Sequence, residues 1–499
     1  MVLFRLFTQL ALASGALATP LYSRDSHTPQ GITWGPCDFE TTGSGPIECG
    51  TLSVPLDYTN ATSSEKLTLS LIKSPSRSKT KTVKKSILFN FGGPGYEAIH
   101  SLNGVADYLH LGLGKTLTFS CFDNATERVI AASKYPLLPT DAYERALVDT
   151  YANMQALTNV CQEKNKGSQN PEFLGTAFVA RDLMSVVDAL GEDGLLRFWG
   201  FSYGSLLGAT VAAMFPSRMD RVILDGVVNA RNYYYRLGID VDQLLSADDA
   251  FRAVLSQCIE AGPDKCALAS VNSNAADLET TLLRVADDFG KSPVAAGTTV
   301  INSRLVMELY FVVIKYTSGL ATTAMHINNL VAGTNLTEVA DYYNSLMTGV
   351  AMGDDDAFYG IKCSDTFPRA YTLSDLMPDV ERIIETSEIF GASLAGLTTQ
   401  CATWPWKAKE MYSGPFEGIK TKSPVLFFGN TYDPVTPLAN AKNMSAGFEG
   451  SVFVEQYGFG HATISQFSNC TAQIVQTYFA NGTLPASGTV CEVNSPLFG

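Results

Sequence analysis

The sequence predicts an α/β fold: a mostly parallel, doubly wound sheet that carries a large, mainly helical cap insertion. Short apolar runs alternate with segments of helical periodicity, the order that parallel sheets require. An apolar run, a Gly-x-Ser-x-Gly turn and a small-residue helical stretch follow one another at residues 195–215. Strand signals then fade and helical patterns dominate residues 231–410. These three observations predict a sheet interrupted by a helical cap.

The strands and helices are predicted in chain order. Apolar runs bounded by turn residues predict strands at Leu67–Ile72, Ser86–Asn90, Arg221–Asp225, Pro424–Gly429 and Ser451–Glu455. Thr176–Leu190 has apolar residues at helical spacing and directly precedes the strand that enters the serine turn. We therefore assign residues 31–230 and 411–499 to the two parts of the sheet domain and 231–410 to the cap. Insertions over strand ends commonly form substrate sites, so the cap is expected to shape specificity.

The first 30 residues have the features of an export signal. Arg5 precedes the apolar stretch Leu6–Leu17, and the small residues Ala16-Leu17-Ala18 follow. This pattern predicts a signal peptide over residues 1–18, followed by a polar segment over 19–30. The apolar stretch is too short to span a bilayer comfortably, and no later run reaches the roughly 20 residues that a membrane helix needs. We expect an exported, extracellular protein without a membrane partner.

Composition narrows the class of protein further. The chain has 499 residues, 46% of them hydrophobic, so it can bury a large core. Its formal net charge of −14 argues against a nucleic-acid partner, because phosphate binding requires clustered lysine and arginine. The only basic patch, Lys73–Lys85, is short and is best explained as a solvated loop.

Cysteines and sequons support export. Ten cysteines, an even number, fit an oxidising compartment. Local proximity suggests the disulfides Cys37–Cys49, Cys258–Cys266, Cys363–Cys401, Cys470–Cys491 and, from the remaining pair, Cys121–Cys161. Glycosylation sequons occur at Asn60, Asn124, Asn335, Asn443, Asn469 and Asn481. The cysteine and histidine spacings do not match compact metal sites, so no metal is expected.

The Gly-x-Ser-x-Gly pattern at residues 200–204 indicates a catalytic nucleophile. A strand, a tight turn and a helix form a nucleophile elbow, in which the flanking glycines let the backbone pack closely and the serine hydroxyl is exposed at the sheet edge. Ser202 is therefore the candidate nucleophile.

A serine hydroxyl requires a base to accept its proton and a carboxylate to orient that base. In this topology the chain order is serine, acid, histidine, and only His326 and His461 follow Ser202. His326 lies in a helical cap pattern, whereas His461 lies on a glycine-rich loop after a strand, so we select His461 as the base. Asp433, the only carboxylate in the loop after the preceding strand, is the candidate acid.

Acyl transfer also requires donors for the developing oxyanion. The backbone N–H of Tyr203, next to the nucleophile, is the first candidate. The second is Gly93, because Phe91-Gly92-Gly93-Pro94-Gly95 follows an earlier strand and its glycines expose backbone amides.

These motifs resemble those of secreted tripeptidyl-aminopeptidase-like serine hydrolases, in the proline-iminopeptidase branch of the α/β-hydrolase superfamily. The matching pieces include TLSVPLDY from Thr51, NFGGPG from Asn90, the segment from Gly200 to Val227, and PVLFFGNTYDPVTPLANA from Pro424. The resemblance covers nearly the whole mature chain and implies an α/β-hydrolase fold. It also implies hydrolysis of an amide near the free N-terminus of a peptide substrate, through an acyl-enzyme and without a cofactor.

The chain departs from this family at one place. Relatives have an apolar strand and an Asp-Pro-Arg-Gly-like turn between the glycine motif and the segment resembling Gly112–Cys121. Here only residues 96–113 lie between, without the acid or the arginine of that turn. A central strand is thus expected to be shortened or missing, which would impair folding or activity.

An exopeptidase must also hold the substrate's ammonium group, and carboxylates in the cap or at strand ends are natural partners. Asp225, Asp365 and Glu388 are candidates, although a solvated or capping role is the more frequent one for such residues. Trp404 could line an acyl pocket, and core packing is an equal alternative. Two other functions remain open: an esterase or metabolite-tailoring hydrolase with the same triad, and a catalytically impaired glycoprotein.

Overall fold

The computed structural model describes residues 31–38, 47–75, 85–94, 112–113, 117, 119–238, 241–351 and 355–499. The predicted signal peptide (1–18), the polar segment 19–30 and most of the shortened segment near 96–114 lie outside these residues.

A six-stranded parallel sheet with the strand order β12-β11-β10-β7-β6-β4 lies at the centre of the described chain. Its strands are β4 (Leu88–Asn90), β6 (Leu196–Phe201), β7 (Met219–Asp225), β10 (Leu426–Tyr432), β11 (Val452–Phe459) and β12 (Val490–Glu492). The parallel α/β class predicted from the alternation of apolar runs and helical patterns is confirmed.

Helices cover both faces of this sheet. On β6, Phe198 packs into one hydrophobic cluster and Trp199 into the other, as expected for successive side chains on opposite faces of a strand. The first face is covered by α3 (Thr176–Ala189), α4 (Tyr203–Met214) and α14 (Leu438–Ser445), and the second by α15 (Asn469–Asn481). Coverage on both sides explains why the central strands are almost continuously apolar.

A second, antiparallel sheet has the order β1-β2-β3-β5. It consists of β1 (Thr33–Gly35), β2 (Glu48–Pro55), β3 (Lys66–Lys73) and β5 (Gly112–Leu113). Between β3 and β5 only two residue pairs are in register, and within the described residues no ladder joins this sheet to β4. A cavity of about 50 Å³ lies between the two sheets, lined by Leu71, Leu88 and Leu183 among others. The predicted shortened strand falls almost entirely on residues outside the described ranges and stays a prediction.

The chain between β7 and β10 is mainly helical. It contains the short hairpin of β8 (Val294–Ala296) and β9 (Thr299–Ile301) and the helices α5 (Ala230–Tyr235), α6 (Ala247–Ala261), α7 (Ala275–Lys291), α8 (Ser303–Lys315), α9 (Leu320–Ala332), α10 (Leu336–Ala351), α11 (Asp355–Asp365), α12 (Leu373–Thr386) and α13 (Gly391–Ala395). Their apolar faces form one large cluster, the core of the cap. Local capping defines several helix starts; Thr372 and Asp375, for example, form a reciprocal capping box at α12.

Two further helices contact the cap, although they precede the serine turn in the chain. These are α1 (Ala125–Lys134) and α2 (Ala146–Lys164). Phe119 and the Cys121–Cys161 disulfide belong to the cap's hydrophobic cluster, and the Phe119 ring contacts Trp404 edge-on at 5.9 Å between ring centroids. The cap is therefore built from both sides of the serine turn in sequence.

All five disulfides pair as the cysteine spacing suggests: Cys37–Cys49, Cys121–Cys161, Cys258–Cys266, Cys363–Cys401 and Cys470–Cys491. The six sequon asparagines are all exposed. Of the helices that the structure describes, none combines the length and the apolar character needed to cross a bilayer.

Candidate functional site

The six parallel strands bring their carboxyl ends to one edge of the sheet, where the candidate catalytic residues lie. Ser202 directly follows β6, Asp433 follows β10, and His461 comes two residues after β11. Loops at the carboxyl ends of parallel strands are the usual location of sites in open α/β sheets. The three predicted residues thus reach the same edge although 259 residue positions separate the first from the last.

Ser202 is the residue at which β6 turns sharply into α4. Its backbone has φ 55° and ψ −123°, and its N–H donates to the Asp225 carbonyl at 3.0 Å. A Cβ on Gly200 would lie 2.1 Å from the Gly204 carbonyl oxygen, and one on Gly204 would lie 2.3 Å from that of Asn90. Glycines are required at both positions because strand and helix approach each other this closely. The turn has the strained geometry of a nucleophile elbow.

Asp433 and His461 form the second half of the site. The Nδ1 atom of His461 lies 3.2 Å from both carboxylate oxygens of Asp433, which is fully buried, whereas the His461 side chain is 17% exposed. Asp433 also accepts hydrogen bonds from the backbone N–H of Thr436 (2.8 Å) and Ala462 (2.9 Å) and from the Thr436 hydroxyl (2.7 Å). The carboxylate is thereby oriented, and it faces the ring nitrogen that an orienting acid contacts in a serine–histidine–aspartate triad.

Two opposing effects act on the Asp433 carboxyl. Burial alone would raise its pKa, but the neighbouring His461 and the hydrogen bonds from Thr436 and Ala462 hold the pKa below its ordinary value. The group therefore stays ionised at neutral pH, as the orientation and stabilisation of a charged imidazolium require.

Residues 460–465, which we call the histidine loop, are fixed by two buried side chains at strand ends. On β10, the Asn430 amide donates to the carbonyls of Gly460 (3.0 Å) and Ala462 (2.7 Å). At the end of β7, Asp225 accepts from the backbone N–H of Thr463 at 3.0 Å and also from the Thr463 hydroxyl. Since the Asp225 carbonyl holds the Ser202 N–H, this one residue connects the serine turn to the histidine loop.

The glycine loop after β4 lies directly against Ser202. A Cβ on Gly92 would be 2.9 Å from the Ser202 Cβ and 3.4 Å from its Oγ. The Gly92 N–H donates to the Asn90 side chain at 3.0 Å, which leaves the next amide, that of Gly93, as the oxyanion candidate on this loop. The N–H of Tyr203 belongs to the first turn of α4, where helical N–H groups have no acceptor within the helix.

Two of the four predicted substrate-binding residues are buried carboxylates with protein partners. Both oxygens of Asp225 are occupied by Thr463. The Asp365 oxygens accept from the backbone N–H (2.9 Å) and hydroxyl (2.7 Å) of Thr176, and from the Tyr233 hydroxyl at 3.2 Å. Burial raises the pKa of each carboxyl to about 6, although these hydrogen bonds counteract it. We therefore do not retain either residue as an anchor for a substrate ammonium group.

Of the other two candidates, Glu388 is exposed and Trp404 is packed in the core. Glu388 is 88% exposed on the cap surface and lies 3.7 Å from Arg252. Trp404 is buried, its ring packs edge-on against Trp406 at 5.2 Å between centroids, and its indole N–H donates to Ser364 at 3.3 Å. These contacts agree with core packing, the alternative that the sequence leaves open for Trp404.

Sequence reasoning missed the supporting residues Asn430 and Thr436. The Thr436 hydroxyl contacts both Asp433 and, at 3.2 Å, the His461 ring. The sequence signal for Asn430 is a polar residue directly after the apolar run Pro424–Gly429, and the structure shows that its side chain is fully buried. Among the described residues there is no cluster of three or more potential metal ligands.

A parallel sheet with a serine elbow and a carboxylate–histidine pair at its carboxyl edge defines an α/β-hydrolase, of the serine hydrolase class. Comparison with known proteins supports the α/β-hydrolase fold. Residues 79–251 match the alpha/beta hydrolase fold family, and residues 387–491 match the TAP-like protein family.

Two relatives align over most of the chain. The tripeptidyl aminopeptidase of Streptomyces lividans is 24% identical, over 92% of this chain and 86% of its own length. The serine protease Hip1 of Mycobacterium tuberculosis (strain ATCC 25618 / H37Rv) is 26% identical, over 93% of this chain and 91% of its own length. The chain is thus similar over most of its length to tripeptidyl-aminopeptidase-like α/β-hydrolases, the resemblance that the sequence motifs predict.

Proposed function

We propose that the protein is an exported serine exopeptidase that hydrolyses amide bonds near the free N-terminus of peptides, as tripeptidyl or prolyl aminopeptidases do. The observation that carries the proposal is the buried Asp433 paired with His461 at the same sheet edge as the strained Ser202 turn. The names of the two relatives support a peptide as the substrate. No cofactor takes part.

The proposed reaction proceeds through an acyl-enzyme. The Ser202 Oγ attacks the carbonyl carbon of the scissile amide, and His461 accepts the hydroxyl proton while Asp433 holds the imidazolium. The backbone N–H groups of Gly93 and Tyr203 donate to the oxyanion of the tetrahedral intermediate. His461 then protonates the leaving amine, and the C–N bond breaks. A water molecule, deprotonated by His461, attacks the ester carbonyl. The bond to the Ser202 Oγ breaks, His461 returns the proton to that Oγ, and the N-terminal fragment leaves as a carboxylate.

Export is part of the proposal and rests on the sequence of the N-terminus, on the disulfides and on the sequons. Five disulfides without a free cysteine among the described residues suit an oxidising compartment. Exposure of all six sequon asparagines makes each of them available for glycosylation. Secretion of the full chain followed by N-terminal sequencing and enzymatic deglycosylation tests both statements.

A substrate panel tests the activity. Tripeptidyl, prolyl and single-residue chromogenic amides, their N-acetylated counterparts and p-nitrophenyl esters would be compared with the purified full chain. We expect hydrolysis of the free-amine amides, loss of activity on N-acetylation, and no turnover by Ser202→Ala. Equal rates with free and acetylated amides would contradict an exopeptidase, and turnover of esters alone would favour the esterase alternative.

A second candidate, a catalytically impaired glycoprotein, is favoured by one observation. The described part of the chain has a split sheet, with a cavity between β3 and β4, the strand that leads into the glycine loop. If the glycine loop after β4 were displaced, the oxyanion donor at Gly93 would be lost and turnover would stop. Covalent labelling by a fluorophosphonate, abolished in Ser202→Ala, would exclude this alternative, because the probe reacts only with an activated serine.

A further inference from the structure

The cap contacts the histidine loop directly at the carboxyl end of α8. This helix ends at Lys315, and Tyr316 and Thr317 continue the chain. The last carbonyls of a helix have no partner within the helix and must find one elsewhere. Here the Lys315 carbonyl accepts the backbone N–H of His461 at 3.0 Å. The cap thus contributes the hydrogen-bond acceptor for the main chain of the candidate base itself.

The approach between cap and loop is close. Gly460, at φ +83°, would place a Cβ 3.1 Å from the Lys315 carbonyl oxygen and 2.9 Å from the Ser465 Cβ. The residue before His461 therefore accommodates the cap only because it has no side chain. The conformation of the histidine loop therefore depends on its contact with the cap as well as on its contacts with the sheet.

A side chain of the cap completes the contact. The Thr317 hydroxyl donates to the Ser465 carbonyl at the end of the histidine loop. Within the loop, the Ser465 hydroxyl donates to the His461 carbonyl at 2.5 Å, and the Ser465 N–H donates to the Ala462 carbonyl at 3.1 Å. Thr317 consequently acts on a residue that is bonded to both His461 and its neighbour.

We propose that Thr317 is a positioning residue for catalysis: together with the Lys315 carbonyl it holds the histidine loop, so that the position of the base depends on this contact with the cap. This inference rests on the proposed function of His461 as base. The cap would then control the reaction through the position of His461 as well as through the space above Ser202. Small displacements of a catalytic group have large effects on rate, since about 1 Å can cost 10²-fold.

The test uses the full chain and a fluorophosphonate probe, whose reaction with Ser202 needs the base but no peptide-binding contacts. Thr317→Val removes the hydroxyl at nearly constant volume, Thr317→Ala is a second variant without it, and Thr317→Ser retains it. Thr322→Val, the same change at an exposed position of the cap, is the control. Circular dichroism and thermal unfolding confirm that each variant is folded.

We expect Thr317→Val and Thr317→Ala to be labelled about tenfold more slowly than wild type, with a similar fall in kcat and little change in KM. Thr317→Ser and Thr322→Val should react at nearly the wild-type rate. If Thr317→Val and Thr317→Ala are labelled as fast as wild type while Ser202→Ala is not labelled, the positioning role is refuted and the proposed triad stands. A wild-type chain that is not labelled at all would overturn both proposals.

Discussion

Replacing Ser202 by glycine should stabilise the protein relative to replacement by alanine, although both variants lose the nucleophile. The backbone of Ser202, at φ 55° and ψ −123°, lies in a region that residues with a Cβ rarely adopt. Glycine enters this region at no steric cost. The comparison of glycine with alanine therefore isolates the strain at the turn, because neither variant has the hydroxyl.

The expected magnitude follows from two opposing contributions. A residue with a Cβ held at such angles costs on the order of 1–3 kcal/mol. Glycine loses more backbone entropy on folding than alanine, which costs roughly 0.5–1 kcal/mol. The free energy of unfolding of Ser202→Gly should accordingly exceed that of Ser202→Ala by about 1 kcal/mol.

Urea unfolding with intact disulfides, followed by tryptophan fluorescence, measures this difference. Ala213→Gly, within α4, is the control, since glycine in an ordinary helical position should lower stability by about 1 kcal/mol. Backbone strain at Ser202 would be supported if glycine raises the free energy of unfolding there, relative to alanine, and lowers it at position 213. A Ser202→Gly variant no more stable than Ser202→Ala would refute it, and with it the close packing inferred for the turn.

Three further predictions concern the residues around Ser202. Gly92→Ala should lower the rate of fluorophosphonate labelling at least about 10²-fold, because its Cβ would lie 2.9 Å from that of Ser202 and displace the glycine loop; an unchanged rate would contradict this. Asp433→Asn should retain the fold but reduce kcat by about 10³–10⁴-fold, as measured by steady-state kinetics, and a smaller loss would argue against its role as the orienting acid. For Asp225, burial raises the pKa from 3.8 to about 6, so its contribution to stability is complete below pH 3.8 and is lost as pH rises through 6. Over this window of two pH units, the free energy of unfolding of wild type relative to Asp225→Asn should fall by about 3 kcal/mol, and a difference independent of pH would exclude a buried, titrating carboxyl.

Much of the candidate site could be predicted from local patterns. Ser202 is recognisable because strand, glycine-flanked turn and helix are contiguous in the chain, and the elbow depends on that contiguity. Asp433 and His461 follow from the order in which a parallel sheet presents its strand ends, since each apolar run delivers the residues after it to the same edge. The fold class required no more than the alternation of apolar runs and helical patterns.

The partners of the buried polar residues could not be predicted in this way. The sequence offers Asp225 as one of three candidate ammonium anchors, yet in the structure its oxygens bond to Thr463, 238 positions away. Asp365 likewise bonds to Thr176, 189 positions away, and the cap residue Thr317 bonds to Ser465, 148 positions away. A sequence shows that a carboxylate falls on a buried element, but the hydrogen bonds that satisfy it depend on how distant segments pack.

The sequence by itself determined the class of fold and the three residues that we propose for catalysis, because both depend on local periodicity and chain order. Only the tertiary structure decided what supports them. The two buried strand-end residues Asn430 and Asp225 hold the histidine loop from the sheet, and Lys315 and Thr317 hold it from the cap. The partners in this support have no local signature, since each hydrogen bond arises from the packing of segments that are distant in the chain.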